Sequence, residues 1–122
     1  MHLNPFADAA SALQSWEVMG DRATGRFCFS SNLPVFIGHF PGDPIVPGVH
    51  QIAALIVLAR LAWNTPNLQL AGITRAKWLT PIAPEVALVA EIIRTGMDSF
   101  SGNLMCDNRR CATCLITLRK IP

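Results

Sequence analysis

PGVHQIAALIVLARLAW, residues 47–63, runs from Gly48 to Trp63 without another glycine or proline. Strands of globular domains usually stop at roughly 10 residues, so an apolar run of this length predicts a helix over Pro47–Trp63. Its apolar residues lie nearly all round the helix instead of along one stripe, so every face must be buried. A domain that commits so much of its hydrophobic sequence to one helix needs a sheet large enough to enclose it.

The flanking sequence supplies that sheet. Upstream, LQSWEVMGDRATGRFCFS (13–30) carries Trp16 and Val18, then Phe27 and Phe29, at period two around Gly20-Asp21, which reads as a β-hairpin. Downstream of the NTPN break (64–67) come LQLAGITRAKWLT, VALVAEIIRTG, SFSGNLMCD and RRCATCLITLRK, separated by Pro81/Pro84, Thr95–Asp98 and Asp107-Asn108. These read as four further strands. Two strands, one buried helix and then a run of strands is an α+β order, with an antiparallel sheet wrapped around a single helix. The 122 residues suit one domain, 1–122, with no linker or internal repeat.

Composition narrows the function. The chain is 51% hydrophobic and 15% charged, apolar enough to predict that part of its surface is buried against another subunit. The longest unbroken apolar stretch, Ile52–Ala59, is ended by Arg60 and falls far short of the roughly 20 residues of a membrane span. The N-terminus has no basic leader before an apolar block, so a cytoplasmic location with reduced cysteines is expected. A net charge of +2, with basic pairs only at Arg109-Arg110 and Arg119-Lys120, is no nucleic-acid footprint. Cys111-Ala-Thr-Cys114 has the spacing of a metal or redox motif but no second matching pair or histidine cluster, so no metal site is expected.

The chemistry concentrates just before the helix. IGHFPGDPIVPGVHQIAAL (37–55) holds three prolines and three glycines. Phe40-Pro41-Gly42-Asp43 suits a tight turn with glycine at the position that tolerates positive φ, and Pro44 keeps Asp43 out of the helical region. Pro47 fits the first helical turn, leaving Gly48 and Val49 with free backbone N–H groups at the positive end of the dipole. An unencumbered helix start is a ready oxyanion site. His39, on the loop held against it, would add a base, the combination that proton abstraction beside a carbonyl requires. A loop shaped only for packing, with an inert His39, is the alternative.

These residues resemble a known family. GHFPGDPIVPG is similar to the signature of the hotdog-fold 3-hydroxyacyl-acyl-carrier-protein dehydratases, HFPGDP especially to the 3-hydroxydecanoyl branch, and AKWLTPIAP resembles a later strand of the same family. The resemblance implies a curved antiparallel sheet wrapped around one long central helix, a homodimer, and an acyl-carrier-protein or coenzyme A thioester as substrate without any cofactor. It implies His39 as the group working on the substrate and the Gly48 N–H, beside Val49, as donor to the thioester carbonyl. Family members carry a Glu or Asp fourteen positions after the histidine; here that position is Ala53.

Alanine cannot donate a proton, and losing a positioned acid typically costs about 10²–10⁴ in rate. His50, three residues earlier on the helix, or Gln51 beside it could take over part of the role. His39 could instead act alone, or a homologous subunit could supply the acid in a heterodimer. Loss of dehydration would leave a non-catalytic acyl-carrier-binding or heterodimer-supporting subunit, or an acyl thioesterase, since fold does not fix function. Of the remaining polar and aromatic residues, Arg60 is expected to snorkel, Glu91 to face solvent, and Trp63 and Trp78 to serve as core or interface anchors.

Overall fold

The computed structural model describes residues 3–37 and 42–122. The apolar run forms α2, Gly48–Ala62, in which every residue from His50 to Ala59 is buried. Pro47 is its N-cap (φ −63°, ψ 154°), one position outside the first turn expected of it. Its carbonyl accepts from both His50 N (3.0 Å) and Gln51 N (3.1 Å).

Six strands enclose α2: β1 (Leu13–Met19), β2 (Arg22–Phe27), β3 (Leu68–Trp78), β4 (Leu88–Arg94), β5 (Ser99–Cys106) and β6 (Arg109–Lys120). Their order across the sheet is β1-β2-β4-β5-β6-β3, and every neighbouring pair is antiparallel. This is the α+β arrangement that the order of elements predicts. Both two-residue turns lie where the sequence places them: Gly20 closes β1–β2 at φ +60°, and Asp107 and Asn108 close β5–β6 at φ +51° and +61°. Two adjacent positive-φ residues give the turn whose twist matches the strands it joins.

The concave side of the sheet delivers Phe27, Leu88, Ile92, Phe100, Leu104, Ile116 and Leu118 onto Leu55, Ile56 and Leu58 of α2. Each such side chain contributes about 1.5–3 kcal/mol on burial. Helix and sheet come so close that a Cβ built on Gly102 of β5 would lie 2.6 Å from Leu55 Cδ1. Glycine is there for space.

A second helix, α1 (Pro5–Ala12), was not foreseen, since the expected fold had one. It is capped by Asn4, whose Oδ1 accepts from Ala7 N at 3.0 Å, with Pro5 at its first position. It packs on α2 through Ala9 and Ala12. At the opposite edge of the sheet, β3 pairs among the described residues only with β6, and Leu70, Ile73, Trp78 and the adjoining Leu79 are exposed.

Candidate active site

The site is built around the start of α2. Val46 N donates to Ile82 O at 2.7 Å, pinning the approach segment to the stretch between β3 and β4. Gly42 has φ +93°, the positive value expected of the turn glycine. With the Pro47 carbonyl serving His50 and Gln51, the Gly48 and Val49 N–H groups have no backbone acceptor among the described residues. Gly48 lines a cavity of about 310 Å³ together with Ile45, Val46, Gln51, Trp78 and Thr80, whereas Val49 borders a different hollow.

Trp78 closes this cavity from the end of β3. Its indole lies so near Gly48 that an added Cβ would come within 2.9 Å of Cζ2, and yet the side chain is 52% exposed. Sequence reasoning had it as an anchor; its place over the helix start could be found only from the pairing of β3 with β6, which sets where β3 ends. The next two residues are held there by Cys111, whose carbonyl accepts from Leu79 N (2.8 Å) and Thr80 N (3.1 Å).

Gln51 is buried beside Gly48, its Nε2 donating to Val46 O at 3.0 Å. His50 is directed elsewhere. Its ring, 1% exposed, makes a 2.9 Å hydrogen bond through Nε2 to Asp8 Oδ2 on α1 and meets Phe29 edge-on at 6.1 Å. It does not line the Gly48 cavity. Asp8 was missed in the sequence; the Asn-Pro start of α1 was the available signal. Ala53 faces a different hollow, about 350 Å³, with Phe6, Val49, Ile52, Ile56 and Leu70. So Gly48 and Gln51 are brought together, while His50 and Ala53 each face another way. His39 lies outside the described residues.

Arg60 does not snorkel freely: its Nε donates to Leu68 O at 2.9 Å and its guanidinium covers Phe6. Glu91 sits on the outer face beside Arg22 at 3.6 Å, as expected. Trp63 packs against Phe100 and donates to Gly20 O. The cysteines are free thiols, and burial pushes Cys106 up to about 12 and Cys114 up to about 11, the opposite of what a reactive thiolate needs. No group of three or more potential metal ligands occurs among the described residues. A larger groove of about 660 Å³, lined by Trp63, Arg94, Asp98 and Arg119, lies at the other end of α2 and shares no residue with the Gly48 cavity. No helix is long and apolar enough to cross a membrane among the described residues.

The comparisons with known proteins agree with this fold. The backbone is similar to the dehydratase heterocomplex ApeI:P from Xenorhabdus doucetiae, with a TM-score of 0.76 at 23% identity over 88% of this chain and 96% of that one. At that identity the likeness is one of fold. The 3-hydroxyacyl-acyl-carrier-protein dehydratase FabZ of Thiobacillus denitrificans is 33% identical over 99% of this chain and 92% of the relative. FabZ of Haemophilus influenzae (strain 86-028NP) is 39% identical over 84 residues, 60% of this chain and 57% of the relative. The chain thus spans little more than half the length of that relative. Residues 15–113 match the ApeI-like dehydratases, from β1 through the helix start to β6, and the chain belongs to that family.

Proposed function

We propose that this protein dehydrates 3-hydroxyacyl thioesters carried on an acyl carrier protein or coenzyme A. The observation that supports the reading is the Gly48 N–H, which has no backbone acceptor among the described residues and belongs to a residue lining a cavity shortly after the HFPGDP stretch of the sequence. The thioester carbonyl accepts from Gly48 N–H, whose hydrogen bond strengthens as C2 loses its proton and charge moves onto oxygen. His39 takes that proton. The C3–O bond then breaks, and the imidazolium returns the proton to the departing hydroxide on the same face, releasing water and the 2-enoyl thioester. Departure of hydroxide without a carboxylate beside it is slow, and Ala53 leaves that deficit in this chain.

A second reading is favoured by the lining of the Ala53 hollow. It is mostly apolar, with Arg60 and Gln69 its polar members, so among the described residues it holds no acid of its own. A homologous subunit carrying the missing carboxylate would complete the site across a dimer, and the relative from Xenorhabdus doucetiae is itself a heterocomplex.

The test is an assay of the purified chain with 3-hydroxyacyl and 2-enoyl thioesters, which run the reaction in its two directions. Turnover by the chain alone supports self-sufficiency; turnover only with a homologous partner supports the heterodimer; binding without turnover in either case supports a carrier-binding subunit. His39→Ala should lower turnover by at least about 10²-fold at unchanged melting temperature if its role is that of the base. Undiminished turnover would remove His39 from the mechanism.

A further inference from the structure

Gln51 carries a polar atom with nothing to do. The residue is 6% exposed, and its Oε1 is buried without a hydrogen-bond partner among the described residues. Which end of the carboxamide is free is fixed by chemistry: Val46 O can only accept, so the amide NH₂ must face it, and the oxygen is left over. Buried acceptors are almost always satisfied, and one that is not calls for an explanation.

Its surroundings supply one. Gln51 stands three residues after Gly48, so the two lie on the same side of the first turn of α2. Both line the cavity beneath Trp78. Behind it, Gln51 and Trp78 also border a narrow slot that runs between α2 and Gly102, Leu104 and Cys114 of the sheet. Trp78 is half exposed and makes no side-chain hydrogen bond among the described residues, so rotation of its indole is opposed only by packing. The cavity lining is mainly apolar, with Thr80 and Gln51 its polar side chains, and Oε1 is itself closed off from solvent, so a ligand reaches it only if the packing around it gives way.

We propose that Gln51 is the residue by which this chain recognises the 3-hydroxyl of its substrate: Oε1 accepts from the hydroxyl while Gly48 N–H donates to the carbonyl two carbons away. This rests on the thioester reading above and adds the group that distinguishes substrate from product. A saturated or 2-enoyl chain has no donor at C3 and leaves Oε1 buried and unpaired, so such chains are bound more weakly. A site built to pair one hydroxyl discriminates strongly against the analogue that lacks it. Gln51 cannot protonate the leaving group; its role is to fix the C3–O bond against the face from which the proton is taken.

The experiment compares two amide analogues, 3-hydroxyoctanoyl and octanoyl, each joined through nitrogen to an N-acetylaminoethyl arm so that dehydration is too slow to interfere. The wild type should bind the hydroxylated analogue about tenfold more tightly, equivalent to about 1.4 kcal/mol. Gln51→Met, of similar volume, should bring the two affinities together, abolishing the tenfold preference for the hydroxylated analogue. Because the variant also loses the tether to Val46, a second measurement uses the wild type alone: the side-chain carboxamide of Gln51, followed by NMR, should shift with the hydroxylated analogue and stay in place with the saturated one. Equal affinities in the wild type, or a preference that survives Gln51→Met, would overturn the assignment and leave thioester binding standing. If neither analogue binds, the assignment falls together with the proposed function.

Discussion

His50 and Ala53 sit three residues apart on one helix and have unrelated surroundings, which shows how little helical spacing alone says about a buried side chain. The His50 ring has its Nε2 on Asp8 and its Nδ1 buried without a partner. Asp8→Ala would leave the whole ring unsatisfied and should cost about 1–3 kcal/mol, whereas Asp8→Ala combined with His50→Leu should recover most of that loss, because unpaired polar groups cost more than apolar replacements. Thermal unfolding of the two single variants and the double variant measures the coupling. If the ring is only structural, His50→Leu spares turnover; a loss of about 10²-fold with the fold intact would instead make it the substitute for the missing carboxylate. Ala53→Glu addresses the same deficit directly. It should raise dehydration if the rest of the site is in order, at a cost of about 1–3 kcal/mol for overpacking a position that is 1% exposed.

Among the elements, the segment between β3 and β4 has the most unusual backbone. Glu85 takes φ +67°, a conformation that favours glycine, and is held there by two hydrogen bonds: its N donates to Phe29 O at 2.7 Å, and its Oε2 accepts from Ser31 N at 2.6 Å. The Ser31 hydrogen bonds lower the Glu85 carboxyl below its ordinary 4.5. A depressed carboxyl stabilises the fold above its unfolded value and loses that contribution as pH falls through the folded one. Glu85→Ala should therefore be less stable than the wild type at neutral pH, with the gap closing below about pH 4.5. Melting curves across that range read it; a gap independent of pH would mean that the carboxylate is not what holds the turn. In β5, Gly102→Ala should destabilise by about 1–3 kcal/mol, since Leu55 is locked in the core and cannot retreat. The periodic elements were legible in the sequence because apolar spacing dictates which face is buried: β1, α2 and both tight turns lie within a residue of expectation, while β2 ends at Phe27, three residues before the end of the stretch read as strand. What it could not show is non-local. The pairing of β2 with β4 and of β3 with β6 depends on how the whole sheet closes. The contact of Asp8 with His50, 42 residues away, depends on where α1 docks. The Gly48 N–H without a backbone acceptor among the described residues and the glycine at positive φ, Gly42, were readable because proline and glycine act on their own backbone. Gln51's orphan oxygen was not, since only its partner at Val46 reveals it.

For the whole molecule, the decisive feature is the open edge of the sheet. Leu70, Ile73, Trp78 and Leu79 are all exposed along β3 or just beyond it, and Val49 at the helix start is 59% exposed. A row of unpaired backbone groups beside such side chains templates association with another strand unless something covers it. Arg75 and Lys77 on β3, and the register shifts on either side of Gly72 and Ile73, discourage indiscriminate stacking but not a specific antiparallel mate. The expected state is a dimer joined at β3, burying well over roughly 1,000 Å² in total. Light scattering at micromolar concentration should return about twice 13.3 kDa for the chain alone, and Ile73→Lys should shift it toward monomer. Trp78 ends β3 and packs on the start of α2, so if turnover depends on a dimer joined at this edge, the monomerising variant should lose turnover along with association. A stable wild-type monomer that dimerises only when a homologous chain is added would assign this edge to a heterodimer. In that case dehydration should appear at a one-to-one ratio of the two chains and vanish when the partner's helix carboxylate is replaced by alanine.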